Sequence, residues 1–138
     1  MIEVWGRITS VNVQKVMWTL AELGLVWRRH DVGGAWGGTD SPGFAALNPN
    51  RIVPVVRDRD TVVWESHACV RYLAAQYGEG SLWPVAPSAR AGADKWMDWT
   101  ATELLPAMRP AFIQLVRTRP ADRDTEQVER AAKTLAAL

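Results

Sequence analysis

An α/β domain of βαβαββα order, followed by an all-α segment, is the architecture that these 138 residues predict. Three observations carry it. Apolar residues alternate over Ile2–Trp5 and switch to three- and four-residue steps from Val13, the change of period that separates strand from helix. The same switch recurs at Ser66, after two short β-branched runs on either side of Asp58-Arg59-Asp60. Periodicity then lapses from Gly78 to Pro87, and the chain resumes at Ser88 with helical spacing alone.

In chain order, Ile2–Trp5 reads as a strand and Gly6–Asn12 as a polar turn. Val13, Val16, Met17, Leu20 and Leu23 line one face of a helix that Gly24 stops. Val26–Val32 reads as a second strand, parallel to the first because a helix crosses between them. Five glycines between Gly33 and Gly43 predict an irregular loop; without strand–turn–helix context they do not form a phosphate loop. Phe44–Leu47 fits a helical turn, and Val53–Arg57 and Thr61–Trp64 an antiparallel hairpin. Ser66–Tyr77 is amphipathic through Cys69, Tyr72, Leu73 and Tyr77. This order is that of a thioredoxin-like layer, a mixed sheet with helices on both faces.

Residues 1–77 therefore make one domain, 78–87 a linker and 88–138 a helical domain. In the latter, Trp96, Met97, Leu104, Met108, Phe112, Leu115 and Val116 share a stripe. Pro106 and Pro110 interrupt it and predict a kink or break. Asp124-Thr125-Glu126-Gln127 fits a capping box for a last helix with Val128, Ala131, Leu135 and Leu138 inward. Two striped helices cannot cover each other and the first domain together, so the helical domain reads as partial.

Sixteen basic and fifteen acidic side chains leave a net charge of +1, with no basic patch for nucleic acid. Cys69 is the single cysteine, which excludes an intrachain disulfide framework and a zinc cluster and fits a reducing compartment. His30 and His67 lack neighbours at ligand spacing, so no metal is expected. No apolar run approaches 18 residues and no signal peptide is present, which predicts a cytoplasmic protein off the membrane.

The chemistry concentrates in Asn48-Pro49-Asn50-Arg51-Ile52-Val53-Pro54 and Trp64-Glu65-Ser66-His67. Pro54 lacks an N–H and belongs at a strand start or edge. A cis Val53–Pro54 bond turns the N–H and C=O of Val53 outward, where a peptide-like ligand pairs with both. Glu65 and Ser66 add an acceptor and a donor for its far end, and a helix start offers N–H groups to a carboxylate. The pattern reads as a grip on a small acidic peptide. Each residue also has a plainer role: Ser10 and Ser66 as helix caps, Glu65 as a dipole partner, Asn48 and Asn50 as turn formers, Cys69 as a buried hydrophobe.

Trp5-Gly6-Arg7, Asn12-Val13-Gln14-Lys15-Val16, Asn48-Pro49-Asn50 with Val53-Pro54, Glu65-Ser66-His67-Ala68 and Trp96-Met97-Asp98-Trp99 together resemble the bacterial cytosolic glutathione S-transferases. That resemblance implies a glutathione-binding domain, a helical domain lining the pocket for a hydrophobic electrophile, and a two-fold homodimer. It implies that Val53 pairs with the cysteinyl part of glutathione and that Glu65 and Ser66 hold the γ-glutamyl end. The thiol-activating group then lies among Ser10, Asn12 and Thr9, in that order of preference. Arg51 and Ile52 stand where the family often has a glycine and a basic residue for the glycyl carboxylate, so that contact is displaced by one position or lost. Two other readings stay open: a glutathione-dependent disulfide exchanger with Asn12 and Thr9 beside the sulfur, and an interaction module without turnover. Trp99, Met108 and Phe112 are candidates to wall an electrophile site, although an apolar stripe is core first.

Overall fold

The computed structural model describes residues 1–138 and divides into two units, Met1–Val85 and Ala86–Leu138. The first unit has β1 (Ile2–Trp5), α1 (Val11–Glu22), β2 (Trp27–His30), α2 (Pro42–Leu47), β3 (Val55–Asp58), β4 (Thr61–Trp64) and α3 (Ser66–Tyr77). This is the expected βαβαββα order. The strands form one mixed sheet in the order β2-β1-β3-β4. β1 and β2 are parallel, with Ile2 opposite Trp27, and β1 and β3 are antiparallel, with Val4 opposite Val56.

Period-two alternation sends Ile2, Val4 and Val56 to one face of the sheet. There they meet Val13, Val16 and Leu20 of α1 and Cys69 and Leu73 of α3 in one buried cluster. Each fully buried valine or leucine contributes about 1.5–3 kcal/mol, so this cluster is the main support of the unit. Val55 points the other way from Val56 and is buried too, as is Phe44 of α2. Asp58 ends β3 and is buried. It accepts the Tyr72 hydroxyl at 2.9 Å and the Tyr77 hydroxyl as well, tying the hairpin to α3.

Several boundaries differ from the sequence reading, each for a local reason. α1 begins at Val11, not Val13, because Ser10 is its N-cap residue. β3 begins at Val55, because Pro54 has no N–H to give to a ladder. Glu65, not Ser66, is the N-cap residue of α3; Ser66 is the first helical residue, so its reading as a cap is corrected.

The second unit contains α4 (Pro87–Trp99), α5 (Leu105–Phe112) and α6 (Thr125–Ala136). Wider π-helical segments at Thr100–Leu104 and Ile113–Arg117 flank α5. Of the kink or break expected at the prolines, a break is not made. Pro106 cannot donate to the carbonyl of Thr102, and the π segment carrying Thr102 absorbs that loss without ending the helix. Asp124 caps α6 by accepting the Gln127 N–H at 2.9 Å, as the capping box predicts. Ala131 is buried, but Leu138, read as inward, is 52% exposed. A groove of about 460 Å³ between α5 and α6 is lined by Pro106, Pro110, Arg130 and Ala131 among others. Trp99, Met108 and Phe112 are half-buried and do not line it. No helix is long and apolar enough to cross a membrane.

Candidate functional site

The loop ahead of β3 is shaped by one residue. Asn48 is fully buried at the end of α2; its Nδ2 donates to the carbonyl of Ile52 at 2.9 Å and its Oδ1 accepts the Asn50 N–H at 3.0 Å. Its own carbonyl accepts the Arg51 N–H, also at 3.0 Å. These three bonds coil 48–52 tightly enough that Arg51 takes a positive φ of 55°. The Val53–Pro54 bond that follows is cis.

Val53 then lies against the turn that precedes α1. A Cβ on Gly6 would stand 3.3 Å from the Val53 Cβ and 2.4 Å from a Val13 methyl, so only glycine allows these segments to approach. Beyond Gly6 the Ser10 N–H donates to the Arg7 carbonyl at 3.2 Å, and Gln14 Nε2 reaches back to the Ile8 carbonyl at 2.9 Å. The turn thus presents Thr9 as exposed and Ser10 as half-buried, a few residues beyond the Gly6 that meets Val53. The Ser10 side chain makes no capping bond, so the plainer reading of that serine as a side-chain cap does not hold.

Glu65 is the third piece. It is exposed and has φ 67° and ψ 118°, a conformation that costs a non-glycine residue about 1–3 kcal/mol. Ser66 beside it is buried and donates its hydroxyl to Asn12 Oδ1 at 3.3 Å, across 54 positions of sequence. The same Asn12 oxygen accepts from Lys15 Nζ at 3.1 Å, and Lys15 lies 2.9 Å from His67 Nε2. Burial lowers the Lys15 ammonium's pKa from its ordinary value.

The candidates thus fall into two groups. Asn12 and Ser66 are bonded where α1 and α3 start, and Thr9 and Ser10 lie in the turn that leads into α1. Val53, ahead of Pro54, meets that turn at Gly6, and Glu65 stands exposed before α3. Arg51 and Ile52 stand on the outer side of the same loop: Ile52 is 53% exposed, and Arg51 pairs with the exposed Asp40 at 3.7 Å. Gly6, Lys15 and His67 were not picked out as site residues. The signal for Lys15 is its place three residues after Asn12, on one helix face. Cys69 is no nucleophile: burial, and then the charge of Glu65, push its thiol up to about 12. No three His, Cys, Asp or Glu side chains converge as a metal site.

An arrangement of this kind, built from a turn, a Val-Pro edge and a Glu-Ser helix start, can be compared with known proteins. The family model described as "Glutathione S-transferase, N-terminal domain" matches residues 9–76. Glutathione S-transferase GstB of Escherichia coli strain K12 is 46% identical over 140 residues, covering 100% of this chain and 67% of the relative. The chain belongs to the glutathione S-transferase family. Glutathione S-transferase 3 of Zea mays is 32% identical over 98% of this chain and 62% of its own length. Among solved structures, the theta class glutathione S-transferase of Xanthomonas axonopodis pv. citri with glutathione bound superposes with a TM-score of 0.95. It is 45% identical and covers 99% of this chain and 65% of that one. This glutathione S-transferase chain therefore spans about two thirds of the length of such relatives.

Proposed function

We propose that this chain binds glutathione and ionises its thiol for attack on a hydrophobic electrophile. The single observation that carries the reading is the Ser66–Asn12 hydrogen bond, which joins the helix start assigned to the γ-glutamyl end to the turn assigned to the sulfur. In this reading Glu65 accepts from the γ-glutamyl ammonium and Ser66 borders its carboxylate, where the first N–H groups of α3 have no intrahelical partner. The N–H and C=O of Val53, ahead of Pro54, pair with the cysteinyl unit. Ser10, its hydroxyl not spent on capping, donates to the sulfur, with Asn12 next to it and Thr9 at the exposed edge. Arg51 and Ile52 border the glycyl end.

The chemistry asks little more of the protein. A free thiol ionises near pH 8.5, so a donor aimed at the sulfur at the positive end of α1 raises the thiolate fraction at neutral pH. The thiolate then forms a C–S bond with the electrophile while the leaving group departs with its electron pair. Orientation and anion stabilisation are the protein's share.

A homodimer and a cytoplasmic location belong to the same proposal. The first is supported by the exposed Val62 and Trp64 on the edge strand β4, the second by an unpaired, buried Cys69. Retention on immobilised glutathione, followed by parallel assay with an aryl halide and with hydroxyethyl disulfide, tests the function. Retention with aryl-halide turnover is expected. Turnover of the disulfide alone would make the chain an exchanger, and failure to bind glutathione would defeat the reading.

A further inference from the structure

Asn12, Lys15, Ser66 and His67 form one side-chain cluster where the starts of α1 and α3 meet. An ammonium group has three donors and no acceptor, so the Asn12 atom that faces Lys15 at 3.1 Å has to be the carbonyl oxygen. Turning that amide over would set its N–H against the ammonium and remove the acceptor that the Ser66 hydroxyl uses at 3.3 Å. His67 Nε2, 2.9 Å from the same ammonium, is an acceptor for the same reason, and its ring proton rests on Nδ1. A carboxamide without such neighbours has two nearly isosteric orientations, with a donor or an acceptor at a given point. Here two donors leave one.

We infer that Lys15, steadied by His67, is a positioning residue that fixes the Asn12 amide with its Nδ2–H₂ end left for the ligand, making it a second donor to the glutathione sulfur alongside Ser10. The inference rests on the proposed glutathione site. Lys15 touches neither sulfur nor electrophile; it acts by removing the orientation in which Asn12 would set an oxygen lone pair against a thiolate. A donor fixed before the ligand arrives stabilises the anion without the cost of reorganising it. The Lys15–His67 contact and the Ser66–Asn12 bond both cross from α1 to α3, so they also hold the two helix starts in register.

The test uses the full chain and glutathione as probe, with affinity from calorimetry and the ionisation of the bound thiol from ultraviolet absorbance against pH. Wild type, Lys15→Met, Lys15→Arg and Asn12→Asp are compared. Lys15→Met should raise the ionisation midpoint by about one pH unit, a tenfold change, and lower kcat with KM for glutathione nearly unmoved. Lys15→Arg, which keeps the donors, should restore the midpoint. Asn12→Asp keeps a partner for Lys15 but offers no N–H, and should raise the midpoint as much. If Lys15→Met does not fold, His67→Leu against His67→Gln makes the same comparison, because glutamine keeps an acceptor for Lys15. An unchanged midpoint in Lys15→Met or His67→Leu, with wild type still binding glutathione, overturns this inference alone. A wild type that binds no glutathione removes the proposed site, and this inference with it.

Discussion

Asn48 and Ile52 are joined by a 2.9 Å hydrogen bond from a fully buried amide to a backbone carbonyl, and that bond sets the position of the loop that ends in Val53-Pro54. Asn48→Ala leaves that carbonyl and the Asn50 N–H without partners. The unpaired groups should cost about 1–3 kcal/mol, read from chemical denaturation. Glutathione affinity should fall as well, because Val53 loses its support. Wild-type stability in this variant would show the loop to be held by something else.

Glu65 should couple strain to binding. Removing its carboxylate in Glu65→Ala should weaken glutathione binding by about 1.5–3 kcal/mol, the scale of a charge-assisted hydrogen bond. Glu65→Gly should lose the same affinity but gain in denaturation midpoint, since glycine takes φ 67° without penalty. Opposite signs for stability and affinity are the expected signature. Calorimetry showing full affinity in both variants would place the γ-glutamyl end elsewhere.

Ser10→Ala should leave glutathione affinity close to wild type and move the ionisation of the bound thiol to higher pH. The side chain removed makes no capping bond, so α1 should keep its stability, checked by thermal unfolding. Thiolate absorbance that titrates as in wild type would take Ser10 out of the role.

Cys69 should be inert to a thiol reagent in the folded chain at pH 8 and react promptly in denaturant. Burial sets the sign of its linkage: the folded thiol is pushed up to about 12, above its ordinary value of 9.0. The unfolded state therefore loses its proton first, and stability should be full below about pH 9 and decline from there toward pH 12. A folding stability flat over that range would contradict the burial assigned to this thiol.

Gly6→Ala should destabilise the first unit and weaken glutathione binding together. The new methyl would meet a Val13 methyl at 2.4 Å, and relief requires α1 to move off the Val53 edge. Equal binding by wild type and variant would show that this close approach does not form the site.

Much of this was legible in order along the chain. Alternation at Ile2–Trp5, the helical steps from Val13 to Leu20 and the β-branched hairpin each follow from contacts a few residues long, and they named the layer and the face each strand buries. The Val-Pro and Glu-Ser pairs likewise pointed to the proposed grip, because proline's missing N–H and a carboxylate beside a helix start limit what those residues can do. Tertiary structure alone decided what Asn12, Lys15 and His67 touch across the fold, because a hydrogen bond spanning 52 or 54 positions leaves no periodic trace. It also decided that Ser66 turns to Asn12 instead of capping its own helix, that π-helical segments accompany Pro106 and Pro110 where a kink or break was expected, and that Gly6 is needed for clearance. In each case the partner lies far along the sequence or in the backbone's hydrogen-bond pattern, and only the assembled fold brings it within reach.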